Sequence, residues 1–262
     1  MDRAGAVRAT ASGMDGFNRR ILEETAHRPW PMPEGPWIMS QTWNDLLFAH
    51  WPVDAATLRP LVPAAFELDL YDGTGWVGVV PFHMTNVAPR LVPALPWVSA
   101  FPELNVRTYV RVGDKPGVYF FSLDAGNPVA VGAARTLLNL PYFTADMTVI
   151  ADGEIQYSSR RSAAPNPEFA AAYRGLGNPK PPVQGTLDYF LTERYCLYAM
   201  HHAGVAYRLE IHHPPWPLEP ATAEIWVNTM AAAAGIHLPA VNPRLHFARR
   251  QDMVCWAPER IG

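Results

Sequence analysis

Two cysteines, Cys196 and Cys255, and two lysines, Lys115 and Lys180, are all that 262 residues hold of either type. Two thiols are too few to staple a small secreted scaffold, which makes a reducing, cytoplasmic compartment the simpler expectation. Both lysines precede proline, in Gly-Asp-Lys-Pro-Gly and Asn-Pro-Lys-Pro-Pro. These are surface-turn sequences in which an amine stays hydrated, so amine catalysis has little to work with. A basic excess is also missing, since 21 Lys and Arg stand against 24 Asp and Glu for a net charge of −3. No field is available to neutralise phosphates, which argues against a nucleic-acid partner. The longest apolar stretches, 87–101 and 230–241, are broken by Pro or Gly and fall short of the roughly 20 residues a membrane-spanning helix needs. The opening MDRAGAVRATASGMDGFNRR has no apolar core of a signal peptide. With no GxSxG elbow, P-loop or GxGxxG, serine-hydrolase and nucleotide readings have no anchor, and no cofactor is implied.

What is present is apolar and aromatic. Hydrophobic residues make up 49% and charged ones 17%, a composition that buries a large core rather than staying disordered. Residues 1–20 read as a flexible tail running into a short helix with Asp15 as N-cap, and 21–262 as one domain. Four prolines between Arg28 and Pro36 make that segment an extended arm, and Trp30 gives it a reason to dock. Runs of β-branched and aromatic residues bounded by Gly, Pro, Asn or Asp predict twelve strands. They are Thr42–His50, Phe66–Leu70, Gly75–His83, Glu103–Val112, Gly117–Leu123, Phe143–Ile150, Glu154–Arg161, Glu168–Arg174, Tyr195–Met200, Val205–His213, Ala223–Val227 and Arg244–Trp256. Asp72-Gly73 and Asp152-Gly153 suit type I′ hairpins. Helices are few and short: Asp54–Leu61, a stretch opened by Asn127-Pro128 and ending before Pro141, and Thr186–Leu191.

Strand 103–112 alternates strictly, placing Glu103, Asn105, Arg107, Tyr109 and Arg111 on one face. Such a face is ordinarily the wet side of a sheet. If it lines an enclosed space instead, burial raises the pKa of Glu103 while a neighbouring arginine opposes the rise, and the fork of Arg107 can hold a carboxylate. The pairs His201-His202 and His212-His213 bracket a hairpin, but adjacent strand residues point to opposite faces, so each pair offers one ligand at most and no metal site is expected. Glu193-Arg194 reads first as a structural junction in which each residue pairs elsewhere, and Cys196 as a buried inert thiol.

The stretch from Glu103 to Phe143, with Gly117, Tyr119, Gly132, Arg135 and Pro141 in register, resembles the central segment of the acetoacetate decarboxylases. Together with QTWNDLLFAHWPV, PFHM, ELNVRTYV, VYFFSLDA, LTERY and IHHPPWPL, the chain from about Ile21 resembles the YqjF-like group of that superfamily, whose members have no assigned function. The resemblance implies an α+β, mostly β fold: a curved mixed sheet closing into a cone-like barrel with few short helices. It also implies a departure. The decarboxylases carry Gly-Arg-Glu followed by Pro-Lys-Lys, whose first lysine forms the Schiff base. Here the segment reads GAARTLLNLPYF, so Tyr142 and Phe143 stand at the lysine positions and Thr136 replaces the glutamate. A phenol forms no imine. Glu103 falls on a pocket glutamate of the decarboxylases and Arg135 on their arginine.

The expectation is a pocket lined by Glu103, Asn105, Arg107, Tyr109, Arg135 and Tyr142 that takes a small organic acid or ketone. A lyase or isomerase using Glu103 as general acid or base, with Tyr142 or Arg107 steadying an enolate-like oxyanion, is the second reading. An interaction protein whose aromatic surface builds a homo-oligomer is the third.

Overall fold

A computed structural model describes residues 20–94, 98–132, 140–201 and 203–261. All twelve expected strands are found, most of them longer than their sequence signals, together with a short extra one. In chain order they are β1 (Met39–Val53), β2 (Glu67–Leu68), β3 (Gly75–Pro89), β4 (Phe101–Val112), β5 (Lys115–Ala125), β6 (Tyr142–Asp152), β7 (Glu154–Arg161), β8 (Glu168–Gly175), β9 (Cys196–Met200), β10 (Ala206–His212), β11 (Glu219–Asn228), β12 (Arg244–Cys255) and β13 (Glu259–Ile261). Helix α1 (Ala55–Leu58) starts where the Asp54 carboxylate accepts from the Ala56 amide, and α2 (Leu187–Thr192) is capped by Thr186. The helix opened by Asn127-Pro128 is seen over 128–132, with the Asn127 side chain accepting from the amides of Val129 and Ala130. Its continuation, and residues 1–19, lie outside the described residues.

Strand pairing closes on itself twice. One ring runs β10, β9, β5, β4, β3, β1, β12 and back to β10. The other leaves β5 through β6, β7, β8 and β11 to rejoin β12. The sheet is mixed, because β5 pairs in parallel with both β6 and β9. Strands β12, β1, β3, β4 and β5 form a wall shared by the two rings, and alternation along them feeds two cores. Leu46, Phe48, Val80, Phe82 and Tyr109 point into the first ring, while Leu47, Ala49, Val77, Val79, Leu104 and Val106 point into the second. Within β1 the parity changes at Asp45, whose φ is 49°. Met39, Gln41 and Trp43 before it and Leu46 after it therefore face the same interior.

Two details differ from the sequence expectation. Asp72 and Gly73 both have positive φ, 48° and 77°, as a type I′ turn requires. In the second hairpin the pairing of Asp152 with Glu154 is centred on Gly153, where φ is 74°, so only the glycine takes the left-handed conformation and the turn is not type I′. Lys115 is no surface-turn residue: it opens β5, with Nζ 2.9 Å from Glu210 Oε1. The proline-rich arm does dock. Arg28 donates to Ile211 O at 2.7 Å and pairs with Glu210 at 3.2 Å, and Trp30 Nε1 donates to the same carboxylate at 2.9 Å.

Ring closure depends on a close approach at Gly117. A Cβ there would lie 2.8 Å from Cys196 O, Cys196 Sγ and Tyr198 Cε2, so β5 and β9 meet only because the position has no side chain. Gly117→Ala is expected to destabilise the protein by roughly 1–3 kcal/mol through overpacking. Urea unfolding measures it, and an unchanged midpoint would mean that β9 does not close on β5 as described.

Candidate functional site

The first ring encloses a cavity of about 90 Å³. Its wall is mostly aliphatic and aromatic, with Trp43, Phe82, Phe120 and Trp216 among the lining residues, and the inward face of β4 supplies Glu103, Asn105 and Arg107. The polar face of this strand is thus not a wet side. Glu103 is 3% exposed, Asn105 5% and Arg107 9%. Tyr142, the first residue of β6, completes the group by donating from its hydroxyl to Glu103 Oε2 at 2.9 Å.

Burial dominates the chemistry of Glu103. It lifts the pKa from 4.5 to about 8, with the Asp124 charge adding to the rise and the Tyr142 hydrogen bond opposing it. No arginine among the described residues contributes, contrary to the expected opposition. Near neutral pH Glu103 is therefore a carboxylic acid, with one oxygen held by Tyr142. Burial and the neighbouring carboxyl likewise push the Tyr142 phenol up, so the pair holds its protons at rest.

Arg107 is a buried cation without an acidic partner among the described residues. Nη2 donates to Leu191 O at 2.9 Å and lies 3.4 Å from the Tyr109 hydroxyl, its guanidinium carbon is 5.1 Å from the Phe48 ring centroid, and Nε has no hydrogen-bond partner. Tyr109 is fully buried and stands behind the cavity wall rather than in it. Its hydroxyl donates to Leu191 O at 2.7 Å and meets His50 Nε2 at 2.7 Å. His50, whose part sequence reading missed, is sealed and kept neutral, its pKa driven well down by burial and then by Arg107. Gly78 makes room for both groups: a Cβ there would lie 3.0 Å from the His50 ring and 3.4 Å from Arg107 Cγ. Nothing around His50 in sequence marks it apart from other core histidines. Arg135 lies outside the described residues.

The junction residues separate. Glu193 accepts from the Tyr195 hydroxyl and, at 2.8 Å, from the Trp216 amide, which ties the junction to the segment after β10. Arg194 pairs with Asp69 at 2.5 Å and also lines the cavity. His212 and His213 diverge as alternation requires. The first meets Ile21 O through Nε2 at 2.9 Å, and the second lines the cavity, with burial lowering its pKa to about 4.

A family model described as an uncharacterized conserved protein, DUF2071, matches residues 40–252. The chain is 51% identical over 226 residues to the uncharacterized protein YqjF of Bacillus subtilis (strain 168), covering 86% of this chain and 93% of that one. Among solved structures it is similar to acetoacetate decarboxylase from Legionella pneumophila, with a TM-score of 0.59, 12% identity and coverage of 92% of this chain and 95% of that one. It is also similar to the enduracididine biosynthesis enzyme MppR complexed with pyruvate, with a TM-score of 0.58, 8% identity and coverage of 90% and 93%. At these identities the likeness is one of fold. Among the described residues no helix is long and apolar enough to cross a membrane.

A carboxyl whose pKa rises from 4.5 on folding to about 8 keeps a proton that the unfolded chain releases between those values. Its stabilising contribution is fully present below pH 4.5 and is lost as pH rises through about 8. Glu103→Gln preserves the shape and has no proton to lose. Thermal melts from pH 5 to 8 should therefore show the wild type losing stability relative to the variant, by up to about 1.4 kcal/mol per pH unit. Parallel curves would show that water reaches Glu103 freely.

Proposed function

Because this chain belongs to the DUF2071 family of uncharacterized conserved proteins and shares the acetoacetate decarboxylase-like fold, we propose that it binds a small organic acid or ketone in the β4 cavity without a Schiff-base lysine. The observation that carries this reading is a pairing of opposites. Arg107 faces the cavity as a cation with no carboxylate partner among the described residues, while Glu103, the one carboxyl among the described lining residues, is neutral near pH 7. A carboxylate ligand supplies the missing charge through charge-assisted hydrogen bonds to the guanidinium. The Glu103 acid and Tyr142 hydroxyl then meet a carbonyl or hydroxyl at the other end.

Size narrows the ligand. Some 90 Å³ holds an acid of a few carbons and is far below the ~300 Å³ at which drug-sized sites begin. Pyruvate, bound by the similarly folded MppR, is of this class. The amine route is disfavoured because neither lysine lines the cavity: Lys115 is engaged by Glu210, and Lys180 lies on an outer groove.

The protonation of Glu103 also favours a second reading, in which the protein is a lyase or isomerase. A buried acid with a pKa near 8 can hand a proton to a ligand carbonyl and recover it, with Tyr142 holding the carboxylate between the two steps.

Titration calorimetry with pyruvate and a panel of short monocarboxylates tests the binding. Arg107→Ala is expected to weaken it by roughly 10- to 100-fold, the worth of hydrogen bonds to a charged group. Borohydride added with pyruvate should leave no adduct on Lys115 or Lys180. Failure of every monocarboxylate to bind, or an adduct on either lysine, overturns the reading.

A further inference from the structure

Outside the cavity, on the side of α2, lies a second hollow of about 410 Å³ whose wall includes Asp69, Tyr71, Arg111, Tyr189 and Phe190. Among the described residues, one side chain belongs to the walls of both spaces, and it is Arg194. Arg194 is 5% exposed and stretched between fixed partners. Nη1 meets Asp69 Oδ2 at 2.5 Å, Nε donates to Phe190 O at 2.7 Å, and the guanidinium carbon stands 4.3 Å from the Phe190 ring centroid and 4.9 Å from that of Tyr109.

The polar face of β4 connects the two spaces. Arg111 opens on the outer hollow with its side chain 45% exposed, and Arg107 on the inner cavity. Between them Tyr109 presents its ring to both inner cations, Arg194 at 4.9 Å and Arg107 at 5.7 Å. Arg194 stands beside this face between Arg111 and Arg107, tied to Asp69, while the exposed Arg111 has Glu67 and Asp114 loosely beside it at 4.0 and 3.9 Å.

We propose that the cavity is reached from this outer hollow, with Arg194 as the residue that admits small monocarboxylates and Asp69 as the latch that holds it across the passage. The proposal rests on the reading above that the cavity takes a small anion. An arriving carboxylate exchanges with Asp69 on the same guanidinium, so Arg194 is never left as an unpaired buried charge, and passage avoids the desolvation cost of such a charge. The charge count sets the class. Among the described lining residues Arg107 and Arg194 are the cations, Asp69 offsets one of them, and the neutral Glu103 adds nothing, so a single negative charge completes their balance. A second one would meet no further cation among the described residues.

Cys255 tests the route without knowledge of the natural ligand, because its thiol lines the inner cavity while the equally buried Cys196 lies in neither wall. Iodoacetate and iodoacetamide are matched in size and differ in charge. With either one the thiolate sulfur displaces iodide to form an S–C bond, and the thiol proton passes to buffer. Peptide mass mapping of the full-length protein then gives the rate at each cysteine. Asp69→Asn, which frees the Arg194 guanidinium for an arriving anion, is expected to speed iodoacetate labelling of Cys255 roughly 10-fold and to leave Cys196 unchanged. In the wild type, iodoacetate should gain on iodoacetamide at Cys255, relative to their ratio on free cysteine, and Arg194→Gln should abolish that gain. Equal acceleration at both cysteines would mean that access comes from unfolding, and a Cys255 rate indifferent to both substitutions would put the route elsewhere. Either result overturns the proposal. If pyruvate fails to bind while labelling behaves as expected, the ligand class falls and the route stands. Pyruvate binding with latch-insensitive labelling has the opposite meaning.

Discussion

A wall of strands buried on both faces governs the rest of this structure. Strands β12, β1, β3, β4 and β5 belong to both closed rings, so much of their length is buried on both sides, and a polar side chain there must be satisfied by protein or by a ligand, whereas Arg111 near the end of β4 and Arg249 on β12 reach water. Most of the wall meets that demand with Val, Leu, Phe and Ala. Strand β4 does not, and its face toward the first ring carries an acid, an amide, a guanidinium and a phenol in succession. In an open sheet these groups would be hydrated and chemically ordinary. Sealed inside the ring, the acid keeps its proton and the guanidinium of Arg107 has no carboxylate partner among the described residues. The second ring meets the same demand internally, where Asp124 receives both Arg161 Nε and Nη2, at 2.6 and 2.7 Å. That contrast in how the two rings satisfy their polar groups is the basis of the binding proposed for the first.

Much of this was legible in the sequence. The alternation of 103–111 gave the membership of the polar face, because the two-residue period of a strand leaves no other arrangement. The fate of the face was not legible, since a strand with one polar side reads the same whether that side meets solvent or a cavity, and ring closure through β9 and β10 decides between them. Strand ends were underestimated where pairing partners, rather than β-propensity, extend the ladder, as with β1 and β3. Strand β13 was missed for the same reason: Glu259–Ile261 has little propensity of its own and is a strand because β10 offers it an edge. His50 stayed hidden because its role consists entirely of contacts far away in sequence, with Tyr109 across the sheet and with the space left by Gly78. The phenol at Tyr142 could be placed by resemblance, but its hydrogen bond to Glu103 joins residues 39 apart.

The group that meets Glu103 in this cavity is a phenol, and the neighbouring chemistry follows from that. An amine beside a carboxyl would favour its ionised form by contributing positive charge. With Tyr142 there, no cation among the described residues holds the Glu103 proton off, and desolvation prevails. The result is a site whose two reactive-looking groups are both proton donors at rest, set at the opposite end of a β4 face from a guanidinium. Donors at one end and a cation at the other complement a molecule carrying an oxygen acceptor and a carboxylate a few bonds apart. Covalent capture of a carbonyl needs a nucleophile that neither donor provides, so what this arrangement can offer such a molecule is recognition and the transfer of a proton.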